Sequence, residues 1–231
     1  MEVNGRPVKE IGFKVLGRRD LVCLDGNRLN HSSHHYLMLH KPAGVISARR
    51  SDQDKTVLDL VLEADHGEDV YGPAVYADLF PVGRLDKDTE GLLLMTDDGD
   101  LSHRLLSPGN HVEKTYFALL DGPVGEEEAG LFREGLDIGD GKKTMPAGIR
   151  PAGKEEMKRD LGRSLPGYGV YITLEEGRFH QVKRMAEAVG RKVLYLKRIS
   201  MGSLVLDTEL APGQCRPLTP EELESLTGNN P

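Results

Sequence analysis

Two cysteines, no tryptophan and only five phenylalanines stand in a chain of 231 residues. Cys23 and Cys215 lie near opposite ends and cannot frame a disulfide-stapled scaffold, so a reducing compartment, the cytoplasm, is the expectation. The longest run of aliphatic residues and methionine is Leu92 to Met95. A membrane-spanning helix needs about 20 apolar residues, so no such helix is expected. Met1-Glu2-Val3-Asn4-Gly5-Arg6 lacks the apolar stretch of a secretory signal. There is no Walker loop, dinucleotide fingerprint or zinc-ligand spacing, and the histidines of Asn30-His31-Ser32-Ser33-His34-His35 have no cysteine or carboxylate partners at ligand spacing. That segment reads as a polar linker, with no metal and no cofactor implied.

What is abundant is charge. Thirty basic and 37 acidic residues leave a net charge of −7, which opposes loose, non-specific attraction to nucleic acid. The distribution is uneven. Between Arg178 and Arg198 stand Arg178, Lys183, Arg184, Arg191, Lys192, Lys197 and Arg198 against Glu187 alone, a local +6 on a remainder of −13. A solvated surface explains most charge runs, so position has to decide whether this one recognises anything.

The 27 glycines and 13 prolines divide the chain into short segments, which predicts an α+β fold with extensive antiparallel sheet. Strands are predicted at Tyr36–Leu39, Gly44–Ser47, Leu92–Met95, Thr115–Leu120, Tyr168–Leu174 and Val193–Ile199, from β-branched, aromatic and aliphatic residues between turn formers. Helices are predicted at Thr56–Leu62, Asp100–Leu106, Glu126–Glu134 and Phe179–Val189. In the last, Val182, Met185, Ala186 and Val189 form a core-facing stripe that leaves the basic residues at its margins. A terminal helix starts at Thr219, where Thr219-Pro220-Glu221-Glu222 combines a capping box with proline at the first helical position. The first thirty residues, with short strands around Val3–Val8 and Asp20–Gly26, read as a separate unit.

Three stretches could carry chemistry. In Gly83-Arg84-Leu85-Asp86-Lys87-Asp88-Thr89-Glu90-Gly91 two glycines bracket a charged loop ahead of an aliphatic strand, a placement that exposes carboxylates while holding them still. Loop geometry alone does not rank Asp86 above Asp88. Glu113-Lys114-Thr115-Tyr116-Phe117-Ala118 opens a strand, with Tyr116 and Ala118 on one face. Glu176-Gly177-Arg178-Phe179-His180-Gln181-Val182-Lys183-Arg184-Met185 opens the basic stretch at a helix start, a location suited to phosphate.

These three motifs, in this order, resemble those of the RsuA-type pseudouridine synthases. The likeness extends through Met38-Leu39-His40-Lys41-Pro42-Ala43-Gly44-Val45 upstream, and through Leu196-Lys197-Arg198-Ile199, Met201-Gly202 and Leu210-Ala211-Pro212-Gly213 downstream. It implies a pseudouridine synthase catalytic domain over residues 32–231, with a mainly antiparallel mixed sheet flanked by helices and a central cleft. Residues 1–31 resemble the strand-rich second half of an RNA-binding domain of the ribosomal protein S-four type, without the helical segment that usually precedes it. The Lys-Thr-Tyr and His-Gln-Val-Lys-Arg-Met forms resemble the branch acting on small-subunit (16S) rRNA, with large-subunit (23S) rRNA as the alternative.

The resemblance implies that Asp86 is the catalytic aspartate, that Tyr116 packs on the target base, and that Lys183 pairs with Asp86. It leaves Arg84, Arg178, His180, Gln181, Arg184, Lys197 and Arg198 as candidate RNA contacts. The implied protein is a cytoplasmic, monomeric enzyme that needs no cofactor and has rRNA or an assembling small subunit as partner. Two rivals compete. A non-catalytic rRNA-binding factor would use the same basic stretch without Asp86. A glycosidase would pair Asp86 with Asp88, but residues two apart on an extended loop are expected to point to opposite sides, and no tryptophan is present as a sugar platform.

Overall fold

The computed structural model describes residues 1–10, 12–15, 20–24, 26–29, 34–64, 73–161 and 165–228. The chain divides into two compact units, Met1–His35 and Tyr36–Pro231.

The first unit is a small sheet of β1 (Glu2–Val3), β2 (Arg6–Pro7), β3 (Val22–Leu24) and β4 (Asn27–Leu29), in the order β2-β1-β3-β4. Asn4 and Gly5 both have positive φ, which lets a two-residue turn return the chain from β1 to β2 with the twist a hairpin requires. His31 of the expected linker lies outside the described residues.

The second unit is built on β5 (Tyr36–Lys41), β6 (Phe80–Pro81), β7 (Glu90–Thr96), β8 (Lys114–Leu120), β9 (Gly148–Pro151), β10 (Tyr168–Leu174), β11 (Val193–Met201), β12 (Leu204–Val205) and β13 (Cys215–Pro217). Their order is β13-β5-β7-β11-β8-β10-β9, with β6 paired to β7 and β12 to β11. Neighbours run antiparallel except β7 and β11, which are parallel at the centre. The expected mixed, mainly antiparallel sheet is therefore present.

Helices cover both faces. On one lie α1 (Val57–Glu63), α3 (Glu126–Glu134) and α5 (Gln181–Ala188), packed on Leu37, Leu39, Leu93 and Met95 and on Ala118, Leu120, Ile172 and Leu196. On the other lie α2 (Gly99–Leu106), over Met38, Leu92 and Leu94, and α4 (Lys154–Leu161), over Phe117, Leu119, Tyr171 and Tyr195. This two-sided burial explains the unbroken apolar run in β7: a strand covered on both faces has no solvent side to alternate toward. Trimming one of its side chains, as in Leu93→Ala, would cost about 2–5 kcal/mol.

The last helix, α6 (Pro220–Thr227), starts as its sequence predicts: Thr219 accepts from the Glu222 amide, the Glu222 carboxylate accepts from the Thr219 amide, and Pro220 occupies the first helical position. Two expectations need correction. Gly44–Ser47 is not a strand; Ala43-Gly44 forms a turn with Gly44 at φ +89°, and Ile46 makes only an isolated bridge to Thr56. Helix α4 was not anticipated, because six charged residues within Lys154–Leu161 mask its short apolar edge of Met157 and Leu161.

Candidate active site

The loop between β6 and β7 is pinned from below. Leu85 is buried in the α1-side core, Ser47 Oγ accepts from the Leu85 amide at 3.0 Å and donates to its carbonyl at 2.8 Å, and the Gly44 amide donates to Lys87 O at 2.7 Å. Lys41, the last residue of β5, is fully buried under the loop. Its ammonium donates to Thr89 O at 2.8 Å, Pro42 O at 3.0 Å and Lys87 O at 3.4 Å. Burial pushes Lys41 down to about 8, against the opposing pull of Asp88, Glu90 and Asp86. Gly91, the second residue of β7, has φ +107°, and a Cβ there would stand 2.2 Å from Arg198 O, so no other residue lets β7 approach β11 this closely.

Above this base the Thr89 amide donates to Asp86 O at 3.1 Å, closing a turn that lifts Asp86 and Asp88 toward α5. Lys183, in the first turn of α5, places Nζ 3.1 Å from Asp86 Oδ2 and 2.6 Å from Asp88 Oδ1. The expectation that the two carboxylates face opposite sides is therefore overturned: a turn, not an extended strand, connects them. Partial burial pulls Lys183 down, but its hydrogen bonds to Asp88 and Asp86 outweigh that, so its pKa is raised. Partial burial likewise pushes Asp88 up, and the Lys183 hydrogen bond and charge overcome it, holding the carboxyl below its usual range. A glycosidase pair needs one carboxyl kept protonated as an acid. Asp88 is shifted the other way.

His180 caps α5 from the left-handed region at φ 50°, and its Nε2 lies 3.6 Å from Asp86 Oδ1. Tyr116 points to the same face of the sheet. It is half-buried and packs both on the cluster containing Leu85, the neighbour of Asp86, and on the cluster containing Val182, the neighbour of Lys183. The loop, β8 and α5 thus converge on one region, which holds a 28 % exposed Asp86 carboxylate between a lysine and a histidine.

Most of the basic stretch turns inward. Arg178 donates to Glu176, Asp140 and the carbonyls of Lys142 and Lys143; Arg184 donates to the carbonyls of Phe179 and Ile138 and pairs with Asp140 at 3.5 Å. Gln181 is buried and ties the Arg178 amide to Glu176. These three residues fasten the segment around 138–145 to the start of α5. Arg198 corrects the expectation of a phosphate contact: it is 2 % exposed, lies beneath the sheet surface and donates Nε to Leu92 O at 2.8 Å. Lys197 is half-buried and, by strand alternation, faces α4 rather than Tyr116, with Nζ 3.4 Å from Asp160 O. Arg84 and Lys192 remain exposed, and their side chains have no described partner, although the Lys192 amide donates to Asp121 at 2.9 Å. The residue that sequence reasoning passed over is Lys41, whose signal was a charged side chain ending a strand that carries the apolar run Leu37–Leu39.

Known proteins resemble this chain over most of its length. The RNA pseudouridylate synthase family matches residues 35–188. An uncharacterised RNA pseudouridine synthase of Bacillus subtilis strain 168, YtzG, is 42 % identical over 225 residues, covering 97 % of this chain and 86 % of that protein. Ribosomal small subunit pseudouridine synthase A of Escherichia coli K12 is 39 % identical over 226 residues, covering 97 % and 87 %. A crystal structure described as a pseudouridylate synthase superposes with a TM-score of 0.67 at 36 % identity, again covering 97 % and 87 %.

Proposed function

Because the chain belongs to the RNA pseudouridine synthase family and is therefore an isomerase, we propose that it converts a uridine of small-subunit (16S) rRNA to pseudouridine, with Asp86 as catalytic aspartate. The observation that carries this reading is the Asp86–Lys183 pair at 3.1 Å on a loop braced by Lys41 and Ser47. The choice of small-subunit rRNA rests on the name and 39 % identity of the E. coli relative and on the motif forms of the sequence.

In the reaction the N1–C1′ bond breaks, the uracil turns, C5 bonds to C1′, the C5 proton leaves and N1 gains one. Asp86 promotes departure of the uracil from the sugar carbon. Lys183 keeps that carboxylate charged and aimed. An everted uridine costs a few kcal/mol to unstack, and an aromatic platform returns about 1–3 kcal/mol per base, a balance that suits Tyr116. Arg84 and His180 are the candidate RNA contacts whose side chains reach solvent around the loop. Arg178, Gln181 and Arg184 act by shaping the backbone that carries His180 and Lys183. The protein works as a cytoplasmic monomer, and residues 1–31 add RNA affinity as part of an S-four-type domain.

The test uses 16S and 23S rRNA transcripts carrying tritium at uracil C5, incubated with the protein. Tritium release from the 16S transcript, mapped to one nucleotide, is the expected result. Release only from 23S rRNA overturns the choice of target, and no release from either overturns the activity.

A further inference from the structure

Phe179 is 76 % exposed, more than any other large apolar side chain among the described residues. Its position is nevertheless tightly held. The Phe179 carbonyl accepts from Arg184 at 3.2 Å, the Gln181 amide donates to Arg178 O at 3.2 Å, and the Arg178 amide donates to the Gln181 side chain at 2.8 Å. The phenyl ring lies flat on the imidazole of His180, with centroids 3.8 Å apart and planes 18° from parallel. That imidazole in turn brings Nε2 to 3.6 Å from Asp86. One face of the phenyl ring is therefore covered by the histidine and the other is open to solvent, one stacking layer out from the ring that reaches the candidate catalytic carboxylate. Stacked nucleotides repeat along a strand at a rise of about 3.4 Å, nearly the same interval.

The charges around it point to the same kind of ligand. Arg178 and Arg184 are occupied by carbonyls and by Asp140, and Lys183 by two aspartates, so little free positive charge remains here to grip a phosphate. A flat, neutral π-face offers what a nucleobase can use and a phosphate cannot. We propose that Phe179, backed by His180, is a stacking platform for the nucleobase adjoining the target uridine, so that the everted base and its neighbour are held by separate aromatic surfaces. This rests on the isomerase reading of the site and adds a determinant of which single-stranded or bulged segments the enzyme accepts.

The chain has no tryptophan, so Phe179→Trp introduces its only indole. The wild-type protein, Phe179→Trp, Phe179→Tyr and Phe179→Leu are assayed by tritium release from C5-labelled 16S and 23S rRNA transcripts, and Phe179→Trp is also titrated with the releasing transcript while indole emission is followed. Phe179→Leu should raise KM about five- to hundredfold, the span of one lost base stack, with a smaller change in kcat. The tyrosine and tryptophan variants should stay within about threefold of wild type, and RNA should quench the indole. Because no charge is removed, the salt dependence of binding should be unchanged. A wild-type KM in Phe179→Leu, or indole emission that RNA does not move, overturns the platform while leaving the isomerase reading intact. Absence of release by the wild-type protein from either transcript overturns both.

Discussion

Two carboxylates sit in ion clusters on opposite sides of the same sheet, and they have been treated in opposite ways. Asp160, on the α4 side, is 6 % exposed and saturated. Arg159 grips it with Nε at 2.9 Å and a terminal nitrogen at 2.8 Å, the Tyr171 hydroxyl donates to it, and Arg150 covers the Tyr171 ring at 4.3 Å. Burial first, and the adjoining Asp160 second, push the Tyr171 hydroxyl far above its usual range, so it stays a donor. Asp86, on the α5 side, is 28 % exposed and, among the described residues, has only the Lys183 side chain within hydrogen-bond distance, with His180 slightly farther away. Its lone pairs are largely free. Charge and residue type alone do not separate the two; hydrogen-bond saturation does. A carboxylate whose acceptors are all occupied holds structure together, whereas one held by a single side partner can still act on a substrate.

The contrast can be broken most sharply at Asp86. Asp86→Asn should lower tritium release by more than about a thousandfold, as expected for loss of a group acting on the reacting atoms, while retention of rRNA on a filter changes by less than about threefold. Asp88→Asn should cost less than about tenfold in the same assay. Comparable losses in both would mean that the loop, rather than one carboxylate, carries the chemistry.

Next in size is Lys183→Met, which should reduce kcat about a hundredfold, because it removes the cation that orients Asp86 and compensates its charge. Lys183→Arg should recover part of that loss. Equal rates in the methionine variant and the wild type would show that the 3.1 Å pair is incidental.

A smaller effect should appear in the pH profile. As pH rises through about 8, buried Lys41 loses its proton, and the neutral amine has two N–H groups for three carbonyls. One loop hydrogen bond is worth about 0.5–1.5 kcal/mol, so kcat should fall about two- to tenfold on that alkaline limb. Unfolding does not explain such a fall, because this group works in the other direction on stability. Its folded pKa lies below the usual lysine value of 10.5, so between about 8 and 10.5 the unfolded chain binds a proton that the folded chain has released, and the Lys41 contribution to stability increases with pH. Denaturant titrations alongside the rate profile separate the two.

The smallest change in activity belongs to the saturated side. Asp160→Asn should lower stability by about 1–3 kcal/mol through its unsatisfied buried partners, read as a lower midpoint in urea, and leave tritium release per folded molecule within about twofold of wild type. A large loss of turnover there would erase the distinction between the two clusters.

Much of the scaffold could be read from residue order. Runs of β-branched, aromatic and aliphatic residues marked β5, β7, β8, β10 and β11 but not the short β6, β9, β12 and β13, and Thr219-Pro220-Glu221-Glu222 marked the start of α6 to the residue. Helix α4 escaped because its buried edge is two residues wide, and Gly44–Ser47 misled because Val45 and Ile46 suit a strand while Gly44 demands a turn. In the site, Asp86, Tyr116 and Lys183 were legible as motif positions. The roles of Lys41, Arg178 and Arg198 were not, since a basic side chain looks the same in sequence whether it is to meet a phosphate or a carbonyl.

Local order therefore determined which segments become strands and helices, because apolar spacing and capping chemistry act within a few residues. It also determined the chemical types available at the site. Which of those groups meet was decided by tertiary structure: β7 and β11 join side by side, the tight turn at Asp86–Thr89 carries two carboxylates to one ammonium some hundred residues away, and the Arg178–Arg198 stretch turns most of its cations inward. The reason is physical. A charge keeps its identity along the chain, but its solvation and its partners exist only once the fold has closed around it.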